Sequence, residues 1–554
     1  MSVMEKKLTQ NSLLKFFLVV MMVMSSNDII SLSFGMTLKP GFVLIVLFFI
    51  FSVFVLMRFT KLVNWIDVRD IPVIAWIGLC VIFCFYYGES RNYAYTFSAI
   101  VYVGMVLSAK SKFFSCRRDI FLSAFIISGV FVSSMGVVQF FLGVAGYGEY
   151  AFIRQWWYEG VIARVNGLSY EPSYYGLVVT PYLVFSFLVA DTPVSYKLGN
   201  KLINTLFLLA TVALIISSSR VSGVFVFIFL AFLTLYKANI FGKKVFVFSI
   251  IRLLFFILLS VVYFSFVSIA TDLLSSRANE VEKNVENTSV LAAGDKSSSE
   301  SLPSSVLEQK SNYSDGENVD GVELKYDNKN DMKLEKEAAQ ISNAELDGKP
   351  SNFSMNQSEI KEENNSLQED TPLNLGNKNA DLSVVSEENK EILPNHQSIF
   401  SGTGLAGEAS HSVVTRWNDF NNTISVAKKH IVYGVGLGGV AYEIAREKGV
   451  TDISPDNVRQ YEGLVPFVEI SAATGVLGIF LFLLWVVVTT IPYIMHPVLK
   501  KKCSNDKLVV SFFCLAVLAQ LLLMQSNQNI LRMYFWVNFF IMMIFVYSSK
   551  NQAE

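Results

Sequence analysis

The chain reads as an all-α, polytopic integral membrane protein with a polar insert, and three features of its 554 residues argue for this. The composition is 52% hydrophobic and 16% charged, against about a quarter charged in a soluble domain, which excludes a single water-soluble globule. Apolar runs long enough to cross a bilayer recur along the sequence. Polar residues are also segregated: 1–271 and 464–548 are poor in acidic groups, whereas 275–400 is rich in Ser, Asn, Glu and Lys with few aromatics. The formal net charge of −1 averages these opposed compositions and gives no reason to expect a nucleic-acid partner.

A transmembrane helix needs about 20 mostly apolar residues. By that measure about twelve spans are expected, at 13–33, 41–57, 71–87, 93–109, 120–145, 174–190, 202–217, 221–236, 244–271, 464–492, 508–525 and 530–547. The first is not expected to be a cleaved signal peptide, because it lacks a small-residue cleavage site and a second span follows at once. Alternate short loops hold clusters such as Arg58/Lys61/Arg69, Lys110/Lys112/Arg117/Arg118 and Lys500/Lys501/Lys502/Lys507, while the opposite loops hold Lys39, Arg91, Arg154, Arg164 and Arg220. By the positive-inside rule both termini lie in the cytoplasm, and 146–173, 217–221 and 272–463 lie on the outer side.

This gives four segments: spans one to nine in 1–271, a polar insert over 272–411 expected to be disordered, ordered helices over 412–463, and spans ten to twelve in 464–554. The insert is too polar to offset the entropy of ordering it. From 412 onward Val413, Val414, Trp417, Phe420, Ile424, Ala427 and Ile431 recur at helical spacing, which predicts an amphipathic helix. Ser454-Pro455-Asp456 resembles a helix start, so a second outer helix is expected to run from there into span ten. Gly434-Val435-Gly436-Leu437-Gly438-Gly439 fits G-x-G-x-x-G literally, but it follows no buried strand and opens no βαβ unit. Its glycines suit a tight re-entry of the chain or the close approach of a ligand or another backbone.

The five cysteines lie in spans or in loops assigned to the cytoplasm, so no disulfide framework is expected. The four histidines have no metal-ligand spacing, so neither a metal nor a cofactor is expected.

Charged groups next to apolar sequence are costly and tend to mark function. Arg154, Arg164, Arg220 and Arg416 fall on the outer side, where their guanidinium groups could converge on one anion. The alternative is that each snorkels to lipid headgroups or pairs with an acid. Among carboxylates, Glu171 precedes Pro172 at the mouth of span six, and Glu462 and Glu469 flank the start of span ten. Glu171 and Glu469 could accept a proton, or could instead partner an arginine. Tyr170, Tyr174 and Trp417 are aromatic faces beside these charges. They suit sugar stacking and an interfacial belt equally.

The order of these motifs resembles the bacterial O-antigen polymerase and ligase superfamily. The matching pieces are Arg164-x-x-Gly167 leading to Glu171-Pro172-Ser173, Ser219-Arg220 opening a span, Arg416-Trp417 after the large loop, the Gly434–Gly438 turn, and Gly475-Val476-Leu477-Gly478 within span ten. The likeness covers about 150–270 and 412–485. It implies a metal-independent glycosyltransferase of the bacterial inner membrane whose partners are the lipid bilayer, an undecaprenyl-diphosphate-linked oligosaccharide and other polysaccharide-assembly proteins. Under it Glu171, Arg220 and Arg416 are the catalytic candidates, and Arg154, Arg164, Tyr170, Tyr174, Trp417, Glu462 and Glu469 the substrate-binding ones. Ligases of the superfamily carry a His-Asn pair before span ten. Here the stretch is Gln460-Tyr461-Glu462-Gly463, without histidine, which favours a polymerase of surface-polysaccharide repeat units. The alternatives are a ligase or protein O-oligosaccharyltransferase of the same superfamily and, in a different class, a glycan transporter.

Overall fold

The structure, a computed structural model, describes residues 3–27, 32–33, 37–59, 67–147, 157–158, 162–294, 405–455, 457–461, 463, 465–500, 503–526 and 529–551. Arg154, Glu462 and the insert from 295 to 404 lie outside the described residues. The chain divides into two units, Met1–Lys283 with His396–Glu554, and Asn284–Asn395. Of the second, only 284–294 is described, as helix. The candidate residues and the helices that carry them belong to the first.

The regular structure of the described chain is helical apart from two antiparallel ladders of two residues per strand, β1 (Leu32–Ser33) with β2 (Thr37–Leu38) and β3 (Trp157–Tyr158) with β4 (Ile162–Ala163). In order the helices are α1 (Val3–Ser25), α2 (Pro40–Phe59), α3 (Ile71–Tyr87), α4 (Ser90–Ser108), α5 (Lys112–Ser115), α6 (Arg118–Val144), α7 (Pro172–Val189) and α8 (Pro193–Leu198). They continue as α9 (Asn200–Ile216), α10 (Arg220–Phe241), α11 (Lys243–Gly294), α12 (Leu405–Lys429), α13 (Gly439–Glu447), α14 (Pro466–Leu499), α15 (Asn505–Met524) and α16 (Met533–Asn551). Among the described residues eight helices are long and apolar enough to cross a membrane, with shorter apolar helices at 11–25, 200–216 and 533–549.

Local chemistry sets the boundaries. Before α3, the Asp67 carboxylate accepts from Arg69 N–H while Asp70 accepts from Asp67 N–H, a reciprocal cap. Gly88 then ends the helix at φ +64, where a side chain would be strained. Pro172 and Pro466 open α7 and α14 behind extended Glu171 and Val465, as a following proline requires. Helix α7 is the best covered span, 89% of its apolar window being buried, and α11 the least, at 11%. So α7 lies at the centre, where Phe125, Tyr182, Phe185, Phe513 and Phe545 pack together from four helices, and α11 offers its apolar surface outward.

Polar contacts sort into two ends. At one, Asp70 is buried against Lys110 Nζ (2.8 Å) and the Tyr547 hydroxyl (2.7 Å), Arg69 donates to the Tyr493 hydroxyl (3.0 Å), and Arg118 pairs with Asp506 (2.8 Å). Contacts at the other end tie the last turn of α6 and the starts of α4, α7, α10, α14 and α16 to the loops between them. This is the end that carries the candidate residues.

Three boundaries differ from the sequence reading. Helix α11 continues through 272–294, where a disordered insert was expected, because no glycine or proline occurs between Gly242 and Gly294 and the stretch is rich in helix formers. The helix after the insert begins at Leu405, ahead of 412, and its covered face is offset from the expected apolar stripe: Val414, Trp417 and Ile431 are exposed and Phe420, Ile424 and Ala427 half-buried, while Thr423 and Val426, outside the stripe, are buried. No helix runs from Ser454 into span ten. A 3-10 turn spans Asn457–Tyr461, and Gly463 with the extended residue before Pro466 separates it from α14.

Candidate functional site

The stretch from Arg164 to Glu171 crosses the ends of α6 and α7 and is fixed by one side chain. Gln139 on α6, 2% exposed, donates through Nε2 to Gly167 O (2.6 Å), while its Oε1 accepts from Gly167 N–H (2.8 Å). Gly167 has φ +58, and a Cβ there would sit 2.4 Å from the Tyr175 ring, so only glycine fits. The Tyr175 hydroxyl donates to Val132 O (2.9 Å), locking α7 to α6 beneath the stretch. Asn166 donates to Ser169 O (2.8 Å), and the Ser169 hydroxyl donates to Ser26 O (3.3 Å) at the end of α1. Arg164 is half-buried beside this anchor and Tyr170 is exposed at its rim.

Glu171 caps α7. Its carbonyl accepts from Tyr174 and Tyr175 N–H (both 3.1 Å), and its carboxylate accepts from the Ser173 hydroxyl (2.9 Å). One turn on, the Arg532 guanidinium lies over the Tyr174 ring, 4.5 Å from its centroid. Arg532 belongs to the segment before α16, and that segment also reaches α14. Ile530 N–H donates to Glu469 (3.2 Å), and the Trp536 indole donates to Ile530 O (2.8 Å). Glu469 is 3% exposed. Residues 529–532 thus bridge the Glu469 carboxylate on α14 to Tyr174 on α7.

Arg220 is the first residue of α10 and is exposed. Its helix start is held against α7: Ser219 donates to the Ser222 hydroxyl (2.7 Å), and Ser222 packs on Gly176, where a Cβ would meet its oxygen at 3.0 Å. The preceding Ser218, at φ +54, shares a hydrogen bond with the Tyr263 hydroxyl (2.9 Å).

Arg416 and Trp417 lie on α12. Thr423 on this helix is buried, and both the Thr423 and Glu469 side chains come within 3.5 Å of where a Cβ on Gly463 would stand. Arg416 is half-buried seven residues earlier, on the same face and about two turns, or about 10 Å, further along. Asp419 shares this face. Burial pushes its carboxyl above the usual aspartate range, an effect the Lys448 charge partly offsets. Trp417 is exposed and packs its ring at a tilt against Phe420, 5.5 Å between centroids.

The glycine run closes the assembly. Helix α14 breaks at Gly475 (φ 69, ψ −176), and the chain from 431 to 438 fills the break. Val435 and Gly436 N–H donate to Ala472 O (3.0 Å) and Ala473 O (2.8 Å), and Val476 N–H donates to Ile431 O (2.9 Å). A Cβ on Gly434 would lie 2.1 Å from the Ala473 backbone, so the glycines admit a backbone into the helix break. Asn92 at the start of α4 pins the other side, donating to Val435 O (3.2 Å) and accepting from Gly438 N–H (2.7 Å). Beyond it, Arg446 bridges Glu443 and Glu89, and Glu443 also faces Lys429 and His430.

The chain therefore gathers Tyr174 and Glu469 around one short segment, sets Glu171 at the start of the helix that carries Tyr174, places Arg220 at a helix mouth packed on the same α7, and holds Arg416 on a helix resting against the start of α14. No hydrogen bond or ion pair joins Arg220 to Arg416 among the described residues. The sequence reading missed Arg532, Gln139 and Asn92. Arg532 had a usable signal, since it lies two residues inside the expected span 530–547, where a cation is costly. Gln139 and Asn92 had none, because an amide inside a span or at its edge can serve any neighbour. Comparison with protein-family models, with curated proteins and with solved structures finds no match.

Proposed function

We propose that the chain is a surface-polysaccharide polymerase of the bacterial inner membrane, with about twelve spans and with the candidate end facing the periplasm. It joins repeat units carried on undecaprenyl diphosphate. The observation that carries the reading is the convergence of α7, α14 and the 529–532 segment: Arg532 lies over the Tyr174 ring, Ile530 engages the Glu469 carboxylate, and Glu171 opens the helix that carries Tyr174.

The hydroxyl oxygen of an acceptor glycan attacks the anomeric carbon of a donor glycan. The bond from that carbon to the diphosphate oxygen breaks, the electron pair leaves with undecaprenyl diphosphate, and the hydroxyl proton passes to Glu171. General-base help of this kind is worth about 10²- to 10⁴-fold. The diphosphate is a good leaving group, and its charge is held by Arg220 and Arg416, with Arg164 and Arg532 flanking the donor. Tyr170, Tyr174 and Trp417 supply faces for sugar rings. Glu469 is engaged by a backbone N–H, so its work is to position the 529–532 segment.

The test replaces Arg220 or Arg416 with alanine and separates the surface glycan by electrophoresis. Each variant should insert at normal levels yet lose the long ladder and keep a single attached repeat. Loss of every attached unit, including the first, would indicate a ligase instead. A normal ladder from both variants would reject the diphosphate role.

A further inference from the structure

Helices α9 and α11 leave a groove of about 350 Å³ between them at the end opposite the candidate site. Its walls are Phe207, Leu208, Phe248, Ile251 and Phe255, and its polar base is Asn204 with Arg252. Leu208, Phe248, Ile251 and Phe255 are each more than a third exposed, so protein does not cover the walls, and both helices are apolar enough to lie in a bilayer. The base is rigid. Arg252 donates to both carboxylate oxygens of Asp191 (2.8 and 3.0 Å) and to Asn204 Oδ1 (3.0 Å), and it lies over the Phe207 ring at 5.1 Å. Arg252 and Asp191 thereby neutralise one another within the site.

The mouth is different. Lys201 stands three and seven residues before Asn204 and Leu208, and Lys244 stands four and eight before Phe248 and Arg252, so each lysine heads the helix face that lines the groove. Both are exposed, and neither forms an ion pair among the described residues. Asp191 is the single acid in 190–255, and Arg252 already engages it. Both helices begin at this mouth, so the positive ends of two helix dipoles add to the lysines. An apolar slot in the bilayer under a cationic, acid-free mouth fits one kind of occupant.

We propose that this groove is a binding site for an anionic glycerophospholipid of the adjoining leaflet. One acyl chain lies along the Phe207, Leu208, Phe248, Ile251 and Phe255 walls, a stretch of about 10 Å. The phosphate sits between Lys201 and Lys244. Arg252 stays with Asp191 at the polar base of the slot. The site is independent of the transferase reading and depends only on the helices lying in a membrane.

The test titrates the detergent-purified full chain with fluorescently labelled phosphatidylglycerol and phosphatidylcholine. Phosphatidylglycerol should bind more tightly by about thirtyfold, taking the usual gain of a lysine beside an anionic lipid surface twice. Lys201→Gln combined with Lys244→Gln should weaken phosphatidylglycerol to the level of phosphatidylcholine, and Leu208→Trp or Ile251→Trp, filling the slot, should weaken both lipids. All four positions are at the surface, and unchanged melting temperatures without lipid establish that the variants fold. The proposal fails if the lysine variant keeps the preference, if the tryptophan variants bind as the parent does, or if inorganic phosphate competes as well as lipid. It also fails if the purified chain is a dimer that Leu208→Trp converts to a monomer, since a second copy would then be the occupant.

Discussion

Replacing Gln139 with leucine should disable the candidate site without touching any residue in it. The Gln139 amide makes two short hydrogen bonds to one glycine, 2.6 Å to Gly167 O and 2.8 Å from Gly167 N–H, in a place with almost no solvent access. Leucine keeps the volume and strands both backbone groups. Each buried group left without a partner costs about 1–3 kcal/mol, and leucine recovers part of that through apolar burial, so a net loss of about 3 kcal/mol is expected. The unfolding entropy of a unit this large makes 1 kcal/mol worth about 1 °C, which gives a fall in melting temperature of about 3 °C in detergent. Because Gly167 anchors the run from Arg164 to Glu171, the glycan ladder should shorten markedly while the protein still inserts. Gly167→Ala breaks the same anchor through the Tyr175 ring, so the double variant should lose less than the sum of the two. An unchanged melting temperature, or additive losses, would refute the claim that one clamp sets this stretch.

Single positions carry the other expectations. Gly475→Ala puts a side chain at φ 69, ψ −176 with its Cβ 2.5 Å from Val432 O; strain of about 3 kcal/mol or more should lower the yield of folded protein in detergent, checked by size-exclusion chromatography. Arg532→Leu removes the cation over Tyr174 and should abolish the ladder, whereas Arg532→Lys keeps charge without the planar stack and should shorten it; a normal ladder from the leucine variant at equal protein level would exclude Arg532 from the site. Asp419 has a carboxyl raised by burial, so the folded protein holds that proton more tightly than the unfolded chain. Its contribution to stability is present below the ordinary aspartate range, near about 4, and is lost as pH rises through the raised value. Asp419→Asn should therefore melt higher than the parent at neutral pH and no higher at about pH 3, read from melting curves across that range.

What could be read in the sequence tracks the strength of the physical signal. Bilayer-length apolar runs made α2, α3, α6, α7, α10, α11, α14 and α15 legible, because length and hydropathy are properties of the run itself. The purpose of Gly434–Gly438 was legible in kind, since closely spaced glycines outside a βαβ unit point to tight backbone approach. That the approached backbone would be a break in α14 was not, because Gly475-Val476-Leu477-Gly478 stands in an unbroken apolar run and nothing in that run marks a helix break. The start near 454 misled because Ser454 and Pro455 resemble a cap, while Gly463 and Pro466 decide the outcome further on. The stripe from Val413 to Ile431 gave the helix but not its covered face, which runs through Thr423 and Val426. Periodicity names an apolar face and not what lies on it, and an uncovered face suits an interfacial helix. Arg532 escaped because its value depends on Tyr174, some 350 residues away in sequence and one ring away in space.

The most direct measurement removes the gene from its cell, restores it with the parent or with Arg220→Ala, and separates the surface polysaccharide on a gel. The account predicts that the long ladder collapses to a single repeat unit on deletion, returns with the parent and does not return with the arginine variant. A full ladder after deletion, or one restored equally by Arg220→Ala, would contradict it.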